Sequence, residues 1–311
     1  MEGQPFFSFD DYKLHAYELT DDKPKKAVVQ IIHGMGEHAG RYESFANFLV
    51  NQGFVVFMSD HRAHGKTAET LKDIGVYADD IFYDTVRDQI FISEYLLEKY
   101  KLPLIVIGHS FGSFIAQRYN QLYEKHQALV LIGSSYLKND FSIMLASIIS
   151  NLGTKIRGKD APAKLINALT FKRYNKQFVD KHWLTSDRNE QQKQKLDRYC
   201  NRVFSYNFYK SFFTGIMHIY KTKNVAKIIN TIPILILSGQ KDALNKNGSL
   251  IQKLKTFYKE VGVNKVELKI YEKARHEVLN EVVKQKVYED VLTFILSNVQ
   301  IVEQTKKEKK K

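Results

Sequence analysis

Short runs of apolar, mostly β-branched residues recur along the chain, separated by longer stretches with helical periodicity. The runs cover residues 27–32 (AVVQII), 54–58 (FVVFM), 104–107 (LIVI), 128–132 (ALVLI), 234–237 (ILIL) and 266–271 (VELKIY). Near-continuous apolar character without strict alternation is the pattern of strands covered on both faces, as in a parallel sheet. Residues 42–52, 80–100, 111–123, 248–261 and 280–298 carry the intervening helical pattern. Strand–helix alternation predicts an α/β fold, a doubly wound and mostly parallel sheet. Residues 12–19 read as an additional early strand, antiparallel at the edge.

The rhythm breaks once. Residues 135–230 contain no convincing buried strand and are rich in lysine and aromatic side chains. An inserted helical cap is expected there, between core segments 1–134 and 231–300; a separate helical domain is the alternative. Strand patterns resume at Ile234, and both flanks are needed to complete one sheet.

One pentapeptide sits in a context with chemical meaning. Gly108-His109-Ser110-Phe111-Gly112 follows the run LIVI and opens a helical pattern. A G-x-S-x-G turn between strand and helix lifts a serine hydroxyl above the sheet, with glycines where the backbone must pass closely. The following helix N-terminus favours developing negative charge. Ser110 is therefore the candidate nucleophile, and it needs a base. His276, in the loop EKARHEV after the last strand pattern, is placed to supply one. An acid between the two in chain order would orient the imidazole, and Asp242 in SGQKDAL follows the run ILIL. All three lie at the carboxyl ends of predicted strands, where open α/β sheets carry their sites.

A tetrahedral intermediate also needs N–H donors. The amide of Phe111 is one candidate. The loop His33-Gly34-Met35-Gly36-Glu37-His38 supplies the second, at Met35, with His33 expected to brace the loop. His33, His38, His61 and His64 lack cysteine or acid spacing suited to zinc, so no metal and no cofactor are expected.

The residues quoted so far extend into a longer likeness. HGMGEHAGRYESFANFLVNQGFVVFMSDHRAHGKT, then GHSFG, then SGQKD and KIYEKARHEVLNE resemble the monoacylglycerol lipase and lysophospholipase branch of the α/β-hydrolases. That branch reads H-G-x-x-E-H-x-x-R-Y, D-H-x-G-H-G-x-S and G-H-S-M-G-G. The resemblance spans nearly the whole chain, loosely in the cap. It implies a Ser110–Asp242–His276 triad, oxyanion donors at Met35 and Phe111, and a cap over an apolar acyl pocket. The chain departs from the pattern with Ala63 and Ser113 in place of glycines, and with Phe111 in place of methionine.

The cap sequence bears on substrate class. Phe141, Ile143, Met144, Leu145, Ile148 and Ile149 form an apolar helix face, and Phe204, Phe208, Phe212 and Phe213 add apolar surface. Phe141, Met144, Leu145, Ile148 and Phe212 are the expected acyl-chain contacts; docking of the cap on the core is an equal alternative. The expected reaction is carboxylic ester hydrolysis of a small-molecule lipid ester, a monoacylglycerol or lysophospholipid. A short-chain carboxylesterase or acyltransferase with the same triad, and a non-catalytic binding protein on the same scaffold, remain alternatives.

Composition narrows this further. Of the 311 residues 44 % are hydrophobic, which supports a sizeable core. A single cysteine, Cys200, cannot form an internal disulfide and fits a reducing compartment. The first residues lack a basic start followed by an apolar run, and no stretch approaches the roughly 20 apolar residues of a membrane span, so a cytoplasmic location is expected. The net charge is +13, of which residues 306–311 supply +4 within a basic, disordered tail (301–311). No nucleic-acid motif accompanies the charge, and peripheral contact with an anionic membrane is the partner expectation beyond substrate.

Overall fold

A computed structural model describes residues 1–246 and 248–301 of the chain. The expected basic tail lies, from residue 302 onward, outside the described residues.

Eight strands form one sheet: β1 (Gln4–Phe7), β2 (Lys13–Leu19), β3 (Ala27–Ile32), β4 (Phe54–Ser59), β5 (Leu104–His109), β6 (Ala128–Ile132), β7 (Ile234–Gly239) and β8 (Val266–Tyr271). Their order is β1-β2-β4-β3-β5-β6-β7-β8. From β4 to β8 all pairs are parallel; β2 joins β4, and β1 joins β2, antiparallel. The early strand is thus antiparallel as expected, but it is not the edge. β1 covers it, a four-residue strand with no alternation or apolar run to reveal it.

Alternate side chains of the central strands feed two apolar cores. Val28, Ile32, Val106 and Leu131 face one cluster, which includes residues of α2 (Ile81–Tyr100) and α3 (Phe111–Tyr119). Val29, Ile31, Ile107 and Val130 face the other, packed by α1 (Glu43–Asn51) and the C-terminal helix described below. Two-sided burial is why these strands read as unbroken apolar runs. Gln30, a polar residue in the middle of β3, is satisfied: its Nε2 donates to Gln89 Oε1 (2.9 Å), and Ser93 Oγ donates to its Oε1 (2.7 Å).

Between β6 and β7 the described residues form helices α4 (Phe141–Ile156), α5 (Lys164–Asn167), α6 (Arg173–Asn175), α7 (Arg188–Leu196), α8 (Tyr206–Ile219) and α9 (Thr222–Val225). Each long helix starts where a polar side chain can satisfy free N–H groups: Asp140 accepts from Ser142 N and Ile143 N, and Ser205 from Phe208 N. α8 lies against α2, α3 and α4. The chain closes with α10 (Ser249–Glu260) and α11 (Lys284–Asn298). Among the described residues no helix is long and apolar enough to cross a membrane.

Candidate active site

β5 lies at the centre of the sheet and ends at His109; α3 begins at Phe111. Ser110 makes the turn between them, at φ 50° and ψ −115°, a strained conformation for a residue with a Cβ. Surrounding bonds hold it there. Ser110 N donates to Ile132 O of β6 (2.9 Å), and Ser113 N and Oγ both donate to Ser110 O (2.9 and 2.6 Å). Ser113, which replaces a glycine of the resembled pattern, therefore buttresses the elbow. Gly112 admits no side chain: a Cβ would lie 2.6 Å from His33 O and closer still to Ile32 O.

His276 arrives from the loop after β8 and Asp242 from the turn after β7. His276 Nε2 is 2.8 Å from Ser110 Oγ, and its Nδ1 is 2.9 Å from Asp242 Oδ2. Both side chains are almost fully buried. Asp242 is fixed independently, accepting from Leu244 N (2.9 Å) and Asn245 Nδ2 (3.1 Å). Burial pushes the His276 pKa down, but the charge of and bond to Asp242, with the charges of Glu277 and Glu37, outweigh it, and the pKa is raised above its ordinary 6.5. Such an array can take a proton from a serine hydroxyl and hold the resulting imidazolium.

The loop after β3 is shaped by a residue that sequence reasoning left without a role. Glu37 Oε1 accepts from Gly34 N (2.7 Å) and Tyr42 Oη (2.7 Å), and lies 3.0 Å from His109 Nδ1. Its other oxygen accepts from Arg41 Nη1 (2.8 Å). Burial raises the Glu37 pKa, but the His109 bond and the Arg41 charge prevail and hold it well below the usual range. Arg41 also makes a two-pronged pair with Glu277 (2.7 and 2.6 Å), tying the loop to the neighbour of His276. The Glu37–Arg41 spacing within HGMGEHAGRY was the available signal. With Gly34 N engaged, the amides of Met35 and Phe111 stay free: among the described residues neither donates to a backbone or side-chain acceptor.

His33, His61 and His64 form a separate cluster. His33 Nε2 accepts from His61 N (2.9 Å) and its Nδ1 donates to Gly34 O (2.8 Å), while the His33 and His61 rings stack at 3.7 Å. Burial depresses the pKa of His33, of His61 to about 3, and of His64 to about 4. They are neutral braces for the β3 and β4 loops. His38 is separate, with Nε2 2.7 Å from Asp197 Oδ2.

Two cavities meet at Ser110. One, of about 270 Å³, is of mixed character and the more polar of the two, reaching Arg41, Asn175, Gln194 and Arg202 beside Leu184 and Phe204. The other, of about 90 Å³, is apolar, with walls from Phe111, Phe114, Ile143, Phe212 and Ile216. Ser110, Met35 and Trp183 border both. Of the expected acyl contacts, Phe212 lines the apolar cavity. Phe141, Met144, Leu145 and Ile148 do not; they are 75, 47, 45 and 56 % exposed. α4 turns Ile143, Ala146 and Ile149 inward against the core and leaves the former four on its outer face. With apolar residues distributed around the helix and only small polar ones between them, the sequence gave no clear period from which to choose the inward side.

A family model described as serine aminopeptidase, S33, matches residues 23–283. The chain belongs to this α/β-hydrolase family. This α/β-hydrolase is 27 % identical to the monoacylglycerol lipase of Mycolicibacterium smegmatis over 285 residues, 90 % of this chain and 91 % of that one. It is also 27 % identical to the human monoglyceride lipase over 278 residues, 87 and 82 % of the two chains. Among solved structures, a thermostable carboxyl esterase from Bacillus coagulans in complex with glycerol superposes with a TM-score of 0.86 at 25 % identity, covering 96 % of this chain and 98 % of that one. The α/β-hydrolase is a carboxylic ester hydrolase of the monoacylglycerol lipase branch.

Proposed function

We propose that this hydrolase cleaves the ester of a single-chain lipid, a monoacylglycerol or lysophospholipid, through an acyl-enzyme on Ser110. The observation that carries the reading is the hydrogen-bonded series Ser110–His276–Asp242 at the junction of an apolar cavity and a larger, more polar one. The acyl chain enters the apolar cavity and the alcohol occupies the more polar one. His276 Nε2 accepts the Ser110 proton as Oγ attacks the ester carbonyl. Asp242 holds Nδ1–H and balances the imidazolium charge. The amides of Met35 and Phe111 donate to the oxyanion. His276 then protonates the leaving alcohol, and the same base activates water to release the fatty acid.

A panel of nitrophenyl esters, monoacylglycerols and lysophospholipids, with Ser110→Ala as control, tests this. Turnover should fall by about 10⁴-fold or more in the variant. Retained turnover, or no labelling of Ser110 by a fluorophosphonate, rejects the reading. The small apolar cavity favours a second reading, a short-chain carboxylesterase, which a preference for acetyl over octanoyl esters would establish.

The outer face of α4 supports a membrane contact for this substrate class. Phe141, Met144, Leu145, Ile148, Leu152 and Ile156 are exposed beside Lys155, Arg157, Lys159 and Lys164. Apolar and cationic side chains on one surface suit an anionic bilayer. Co-sedimentation with phosphatidylglycerol vesicles, weakened in Ile148→Glu, is expected; equal binding of the variant rejects this face.

A further inference from the structure

Trp183, the single tryptophan of the chain, sits in the segment between α6 and α7 and is 6 % exposed. Its ring lies over that of His276, with centroids 4.5 Å apart and planes 32° from parallel. Tyr174 packs against the indole at 5.1 Å. Trp183 also borders both cavities, so the indole stands where the two chambers join.

The placement is clasped from both sides. Trp183 N donates to Asn175 Oδ1 (3.0 Å). Its neighbours are bonded to the loop that carries His276: Glu277 N donates to Leu184 O (2.8 Å), Thr185 Oγ1 to Asn280 O (2.8 Å), and Ser186 N to Glu281 Oε1 (2.9 Å). Arg275 spans the same gap, pairing with Asp180 (2.8 Å) and donating to Thr185 O (3.1 Å). The indole and the imidazole therefore move as one unit.

We propose that Trp183 is a positioning residue for His276, holding the imidazole in line with Ser110 and stabilising its protonated form through the indole face. The proposal rests on the reading of His276 as the general base. When that base takes the Ser110 proton, a cation forms beneath a π face on a buried side chain. Tryptophan is the strongest of the aromatic partners for a cation, and desolvation strengthens the attraction. The indole also fills the space into which an imidazole beside a 270 Å³ cavity would otherwise rotate.

Among the described residues, the other polar and titratable groups around His276 include Ser110 and His109 from the β5 elbow, Asp242, Glu37 and Arg41 from the β3 loop, Glu277 and Tyr174, with His182 lining the same cavity. None of these side chains is itself replaced in the Trp183 variants, so the comparison of Trp183→Phe with Trp183→Leu reports the aromatic face.

The test uses Trp183→Phe and Trp183→Leu in the full chain, with kcat and KM for a soluble nitrophenyl ester followed across pH. Leucine keeps an apolar cover without the π face; phenylalanine keeps part of that face. Trp183→Leu should move the acid limb of kcat/KM down by about 0.5 to 1 pH unit and lower kcat about tenfold. Trp183→Phe should recover most of both losses. Identical acid limbs in all three proteins, or equal losses in the two variants, overturn the proposal. A second readout needs no Trp183 variant. The emission of Trp183 should titrate with the wild-type acid limb, because a protonated imidazole against the indole quenches it, and His276→Ala should abolish that step. An emission without that step overturns the proposal even if Trp183→Leu fails to fold. Loss of turnover in Ser110→Ala decides the proposed function separately, since the emission titration can be repeated in that variant.

Discussion

Replacing Asp242 by asparagine should disable the hydrolase while leaving its fold in place, and the geometry sets how far. Asp242 Oδ1 accepts from Leu244 N, while Oδ2 accepts from Asn245 Nδ2 and faces His276 Nδ1. In Asp242→Asn the amide oxygen is retained by Leu244 N–H, which turns the NH₂ toward His276. Nδ1 must then accept, so the ring proton moves to Nε2, and Nε2 can no longer take the proton of Ser110. The charge is lost as well. Charge centres about 4 Å apart at an effective dielectric of about 20 interact by about 4 kcal/mol, equivalent to about a thousandfold in rate. The pH profile carries a second signature. Wild-type activity requires neutral His276, whose pKa is raised, so kcat/KM should rise with pH through an acid limb above 6.5. Without the carboxylate, burial dominates and the limb should move to lower pH as the plateau falls. The assay is nitrophenyl ester hydrolysis from pH 4.5 to 9 at constant ionic strength. A loss smaller than tenfold, or an acid limb shifted upward, would refute the reasoning.

Three further outcomes follow from backbone and burial. Gly112→Ala would place a Cβ 2.6 Å from His33 O, well inside the normal contact of about 3.3 Å. It should destabilise the protein by about 1–3 kcal/mol in urea titrations and cut kcat/KM about a hundredfold, because the elbow and the loop after β3 must separate. Ala63, at φ 57°, occupies the left-handed region where the resembled family carries glycine, and its carbonyl is held by Gly75 N (2.8 Å). Ala63→Gly should raise stability by up to about 1 kcal/mol in the same titration. His33, His61, His64 and His126 have folded pKa values below 6.5, because burial disfavours their charged form. The unfolded chain therefore binds more protons below pH 6.5, and stability should fall as pH drops toward about 4, by about 1.4 kcal/mol per unit for each such histidine. The raised pKa values of His38 and His276 oppose this with only two groups. A thermal midpoint that rises between pH 7 and 5 would contradict the balance.

Much of the sheet was legible because its chemistry is local. β3 to β7 are apolar on both faces, and each begins or ends within two residues of its apolar run. β1 was not legible: QPFF lies on an exposed edge, where little side-chain burial constrains composition. Ser110, His276 and Asp242 were traceable because each directly follows a recognisable strand, and chain order restricts which acid can serve. Glu37, Arg41 and Trp183 were harder to read. Glu37 and Arg41 lie one helical turn apart, but their joint partner, Glu277, is 236 residues beyond Arg41. Trp183 meets His276 through a loop with no periodic pattern. Phe141, Met144, Leu145 and Ile148 show the same limit in reverse, since an apolar sequence does not say which side of a helix meets the core.

By itself the sequence determined the alternation of strand and helix, the serine elbow with its flanking glycines, and the chain order Ser110, Asp242, His276. Those features depend on local sterics and on side-chain type at fixed spacing. Only the tertiary structure decided which face of α4 is buried, that an apolar cavity and a larger, more polar one meet at Ser110, and that an indole from the segment between β6 and β7 lies against His276. Those features depend on contacts between segments far apart in the chain, and a contact of that kind leaves no period or spacing to read.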